Sequence, residues 1–137
     1  MNVNDAEKEA ITGDLLEAIF IRQKELMKKY HIIEASQGLL QTTDVPVNIN
    51  DRLGQARLKD FAWRITEELG EAMNCLKNKP WKQTHMETDR THYEEEIVDA
   101  FHFFIELCIL SGFNAQSLTE MYLKKSQVNK FRQRSQY

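Results

Sequence analysis

Four acidic residues carry the first chemical signal: Glu68 with Glu71, and Glu96 with Asp99, each pair three positions apart. On a helix that spacing sets two side chains about 60° apart around the axis and roughly 4.5 Å apart along it, so each pair shares a face. Glu68 falls at the margin of the apolar stripe Phe61, Ile65 and Ala72, with Glu71 just beyond it, and the face of Glu96 and Asp99 continues into Phe103 and Leu107. Carboxylates gathered at a core margin repel one another and lose hydration unless protons or cations neutralise them. Oxygen ligands without cysteine suit a hard ion, Mg²⁺ with Mn²⁺ as the alternative, which keeps positions open for water and phosphate oxygens. Two other readings stay open. The pairs also fit the solvated faces of a charged helix pair. Asp99 and His102, again three apart, form half of a di-iron motif, but Asn74 and Cys75 stand where helix two would need its histidine.

A second signal is basic. From Met121 to Tyr137 the charged side chains are Lys124, Lys125, Lys130, Arg132 and Arg134, in a chain whose formal net charge is −3. Lys125, Asn129 and Arg132 recur at steps of four and three, so one helical face offers an ammonium, an amide and a guanidinium in line. Such a face can clamp phosphate oxygens, and equally it can be a solvated end that complements the helix dipole. The acidic overall balance argues against a polynucleotide partner. Gln23 interrupts the apolar stripe of the first helix, where a buried amide needs partners: a nucleobase edge, or another protein group or water. His31, His85 and His92 carry no clear signal. Cys75 and Cys108 lack metal-ligand spacing and read as core residues.

Four helices must position these groups. Leu15, Leu16, Ile19, Phe20, Gln23, Leu26, Met27 and Tyr30 have the period of a helix with one buried face. Between Ser36 and Asn50 the period lapses and Gly38 and Pro46 appear, which predicts a loop. A second helix carries Leu58, Phe61, Ile65, Leu69, Ala72 and Leu76 and must stop before Pro80. Thr88 or Asp89 can cap a third, which runs to Gly112 and is apolar over more than one face, so it should be central. Asn114 caps a fourth that continues into the basic tail. No segment alternates as a strand would. The expectation is an all-α bundle of four main helices, a single domain over residues 1–137, in the cytoplasm. The longest apolar run, Ala100 to Leu110, is broken by His102 and Glu106 and is too short to span a bilayer.

Taken in order, Glu67-Glu68-Leu69-Gly70-Glu71, Lys79-Pro80-Trp81-Lys82, Glu96 through Asp99 to His102-Phe103, and Lys125 through Asn129 to Arg132-Gln133 resemble the all-α NTP pyrophosphohydrolases. The likeness is to the dimeric dUTPase and bacteriophage dCTPase branch, related to MazG, and runs from about Leu16 to the C-terminus. It implies that Glu68, Glu71, Glu96 and Asp99 hold Mg²⁺, that Lys125, Asn129 and Arg132 contact phosphates, and that Gln23, His102 and Phe103 hold the pyrimidine nucleoside, with Trp81 in a loop near the substrate. The implied reaction is hydrolysis of dUTP to dUMP and diphosphate, with dCTP or a broader set of triphosphates, purines included, as alternatives. Glu67, which directly precedes Glu68 and lies one turn from Glu71, is the first candidate base for the attacking water, with Glu71 as the alternative. The likeness also implies a homodimer or higher homo-oligomer, in keeping with the apolar faces of helix three. Met27, in place of an asparagine, and Glu106, in place of a neutral amide, depart from the pattern near the expected base site. A non-enzymatic helical interaction module, indifferent to Mg²⁺, is the competing class.

Overall fold

The computed structural model describes residues 3–6, 13–39 and 42–135. After a short 3₁₀ turn at Val3–Asp5 come four helices: α1 (Leu15–Ser36), α2 (Arg52–Asn74), α3 (Arg90–Leu110) and α4 (Ala115–Arg134), with no strand among the described residues. The all-α expectation holds. Helix α1 runs about a turn and a half past Tyr30, the last residue of its apolar stripe, and α2 ends before Leu76.

Each helix starts where a short polar side chain can take an orphan backbone N–H. Asp14 accepts from the amide of Glu17, Asp51 from Gly54, and Asp89, rather than Thr88, from His92. At α4 the cap is reciprocal: Asn114 accepts from the Ser117 amide while the Ser117 hydroxyl accepts from the Asn114 amide. Each cap is worth about 1 kcal/mol. Just past the end of α3 comes Gly112, whose φ of 96° lets its own amide reach the Ile109 carbonyl and that of Phe113 reach Cys108. A side chain there would be strained. Gly54 serves close approach instead, since a Cβ at that position would collide with the Asn48 carbonyl of the preceding loop.

The core gathers Phe20 and Met27 from α1, Phe61 from α2, Ile105, Cys108, Ile109 and Leu110 from α3, Val47 from the long loop and Ala115 from the start of α4. Helix α3 contributes most, as its multi-faced apolar pattern predicts. The Val47 amide donates to the Leu110 carbonyl at 2.9 Å, pinning the loop to the end of α3. Helices α2 and α3 pack along much of their length, and α1 rests mainly on α3. The tie from α1 to α2 is ionic: Glu34 accepts from Arg57 at 2.8 Å and from Arg64 at 3.3 Å, and both guanidiniums lie over the Phe61 ring. Phe61 in turn meets Phe103 edge-on, with ring centroids 6.1 Å apart.

Candidate active site

The packing of α2 on α3 brings the two acidic pairs together. Glu68, Glu96 and Asp99 each present a carboxylate oxygen within 4.8 Å of the others. Glu96 is the most enclosed of these, its side chain 12% exposed, and its Oε1 lies 3.2 Å from His92 Nε2, one turn back on the same helix. Glu71 is exposed and stands outside this three-way group, although it interacts with Glu96. Glu67 is also exposed, on a different face of α2.

Protonation in the cluster follows from crowding. Burial, a hydrogen bond with Glu96 and the charges of Glu71, Asp99 and Glu96 push the Glu68 carboxyl up to about 7. Its hydrogen bond with Glu96, then the Glu96 charge, raises Glu71, and burial followed by the Glu96 charge raises Asp99. Glu96 is held below the ordinary carboxylate range by hydrogen bonds from Glu71 and Glu68. Those bonds exist only while the neighbours carry protons. With every carboxylate ionised, Glu96 Oε2 is buried and receives no hydrogen bond. A buried acceptor without a donor, among three further carboxyls, is the environment a hard cation satisfies and an added side chain does not. The donor set therefore fits a divalent ion such as Mg²⁺.

Beside the cluster lies a hollow of about 290 Å³, lined by Gln23, Leu26 and Tyr30 from α1, Glu68 from α2, and Asp99, His102 and Phe103 from α3. Three helices thus carry to one cavity two of the four residues singled out for cation binding, Glu68 and Asp99, together with Gln23, His102 and Phe103, singled out for a base. Gln23 is 4% exposed and is held from both sides: its Nε2 donates to Glu106 at 3.2 Å, and its Oε1 lies 3.1 Å from His102 Nδ1. The protein itself supplies partners for the amide, which leaves one N–H and one lone pair for anything in the hollow.

Other expected site residues stand apart. Lys125 and Asn129 line a separate hollow of about 200 Å³ with Tyr122, Ser126, Lys130 and Gln133, all from α4, and Arg132 lines neither hollow. Trp81 is 75% exposed, with the Lys79 ammonium 5.6 Å from its ring centroid, and neither pins the α2–α3 turn to the bundle nor lines the cavity. Sequence reasoning passed over Leu26 and Tyr30 as lining residues, although they follow Gln23 by three and seven positions on one face. It also missed His92, whose signal was its place four residues before Glu96.

The described residues thus form an all-α bundle in which an acidic cluster lies beside a hollow lined from three helices. Residues 15–110 match the family described as dUTPase, and the chain belongs to that family. At this level the family activity is hydrolysis of a deoxynucleoside triphosphate. The match takes in Gln23, all four acidic residues, His102 and Phe103, and ends before α4 and its basic stripe. No curated protein and no solved structure matches the chain. No helix among the described residues is long and apolar enough to cross a membrane.

Proposed function

We propose that this protein is a Mg²⁺-dependent pyrophosphohydrolase that converts dUTP to dUMP and diphosphate. The observation that carries the reading is the shared cavity, where Glu68 and Asp99 line the same walls as Gln23, His102 and Phe103. Family membership supports a triphosphate substrate. Glu68, Glu96 and Asp99, with Glu71 at the edge, would hold the ion. Bound there, Mg²⁺ supplies charge neutralisation for the phosphates and makes a nearby water more acidic. Glu67 accepts the proton of the attacking water, since it directly precedes Glu68 in the chain, lies one turn from Glu71 and is not consumed by the ion; Glu71 is the alternative base. Phe103 offers a face against which a pyrimidine can pack, and Gln23 and His102 offer polar atoms for its edge.

Lys125, Asn129 and Arg132 offset phosphate charge as the bond breaks. They sit on a helix whose first residue, Ala115, is its only buried one, and whose Tyr122, Leu123, Val128 and Phe131 are exposed. Helix α3 exposes Ile97, Phe101 and Phe104 at steps of four and three. Apolar faces of this kind favour burial against a second copy. The assembly we propose is a homodimer or higher homo-oligomer in which α4 completes a site on a neighbouring subunit.

Incubating the protein and Mg²⁺ with each deoxynucleoside triphosphate separately, and resolving the products, tests substrate and bond together. The expected result is dUMP and diphosphate from dUTP, with slower turnover of dCTP. Turnover of purine nucleotides alone would remove the pyrimidine assignment. No turnover, with no Mg²⁺-dependent shift in melting, would favour the interaction module.

A further inference from the structure

We infer that Glu106 is a positioning residue for base selection: through Gln23 it sets the direction of a hydrogen-bond relay that makes His102 Nε2 an acceptor facing the base. This rests on the nucleotide reading above. Glu106 and His102 are four apart on α3, so they share a face one turn apart, and Gln23 reaches between them from α1. Glu106 is 2% exposed, whereas His102 lies at the cavity wall, so the relay runs from the core to the place a ligand would occupy.

An amide is polar in a directed way. An ionised carboxylate accepts only, so Glu106 turns the Gln23 NH₂ group toward itself and its oxygen toward His102. That oxygen also only accepts. Nδ1 of His102 must then carry the ring hydrogen, and in the neutral ring Nε2 is left bare. Burial, the largest influence, raises the Glu106 carboxyl above its ordinary range; the Gln23 hydrogen bond and the guanidiniums of Arg57 and Arg64 hold that rise back in favour of the charge, and the charge of Glu34 adds to it. Arg57 is itself buried, and its Nε and Nη2 have no hydrogen-bond partner, so it stands as a fixed positive charge in the same low-dielectric region.

An acceptor at Nε2 matches a base that offers a ring N–H. Uracil does so at N3. Cytosine has a lone pair there, and would set two acceptors face to face. A neutral group in place of Glu106 removes the constraint, because either end of the Gln23 amide can then face it and either ring nitrogen of His102 can carry the hydrogen.

The test joins a measurement that needs no nucleotide to one that does. In ¹⁵N-labelled, nucleotide-free protein near neutral pH, long-range ¹H–¹⁵N spectra report the tautomer of His102, assigned by the signal lost in His102→Asn. The Nδ1–H tautomer is expected. Glu106→Gln, which keeps the side-chain shape, should admit the Nε2–H form and lower the dUTP-to-dCTP ratio of kcat/KM by roughly tenfold or more, acting through KM more than kcat. An Nε2–H tautomer in the unmodified protein overturns the inference whether or not the variant folds. An unchanged tautomer together with an unchanged ratio in a folded Glu106→Gln also overturns it. A protein with the expected tautomer that turns over no deoxynucleotide overturns the nucleotide reading and base selection with it; an active protein with the other tautomer sinks the Glu106 inference alone.

Discussion

Helices α2 and α3 carry the acidic groups and pack closely on one another, whereas α4 carries the basic stripe and buries only Ala115. In the first region each functional side chain inherits its place from a neighbour: Phe61 against Phe103 below, and Glu68 against Glu96 and Asp99 above. In the second, Lys125 and Asn129 face a hollow made from their own helix, while Tyr122 and Phe131 stand exposed. An isolated helix of this length gains little from propensity alone, and tertiary packing usually supplies its stability. The contrast teaches that packing within one chain suffices to bring the acidic groups of α2 and α3 together, whereas the basic stripe of α4 faces a hollow lined by its own helix.

The largest expected effect lies in the packed pair. Asp99→Asn removes one of three converging carboxylates, and should abolish the Mg²⁺-dependent rise in melting temperature and lower turnover by at least about 10²-fold. Full activity in that variant, measured by diphosphate release, would break the comparison at its stronger end. Glu67→Gln should separate chemistry from binding within the same helix. We expect turnover slower by roughly 10²- to 10⁴-fold, with calorimetry still recording Mg²⁺-supported binding of a nonhydrolysable nucleotide. Wild-type rates would pass the role of base to Glu71.

A smaller effect is expected on α4. Arg132→Ala should raise KM by about 10- to 100-fold with kcat less affected, as loss of a charge-assisted contact does. Mixing it with Asp99→Asn sharpens the comparison, because subunits that exchange α4 would regain activity in hetero-oligomers, one intact site forming from two damaged chains. Light scattering that finds an active species of 16.1 kDa would instead assign α4 to its own chain.

The smallest effect is on stability against pH in metal-free protein. Glu68 has a folded value raised from 4.5 to about 7. The folded state therefore holds its proton more tightly than the unfolded chain, and the stabilisation is complete below about 4.5 and is lost as pH rises through about 7. Melting temperature should fall slightly across that window without metal. Saturating Mg²⁺, which favours the ionised cluster, should flatten or reverse the slope. A metal-free melt that rises with pH between these values would contradict the crowding of the cluster.

Much of this was legible in the sequence because helices are local objects. Periods of three and four residues, with Asp14, Asp51, Asp89 and Asn114 at the starts and Gly112 at an end, depend on contacts within one or two turns. Both acidic pairs could be read for the same reason, since three positions on a helix fix a shared face. Beyond a turn the reading failed in identifiable places. Nothing in the spacing told that Arg57 would be buried against Glu34, that Glu71 would stay outside the tight group, or that Trp81 would be left exposed. Nor could spacing pair Gln23 with Glu106 across 83 positions. Those outcomes depend on how α1, α2 and α3 rotate and cross. That geometry is set by the joint packing of Phe20, Met27, Phe61 and Ile105, and so is decided only when all the helices are present together.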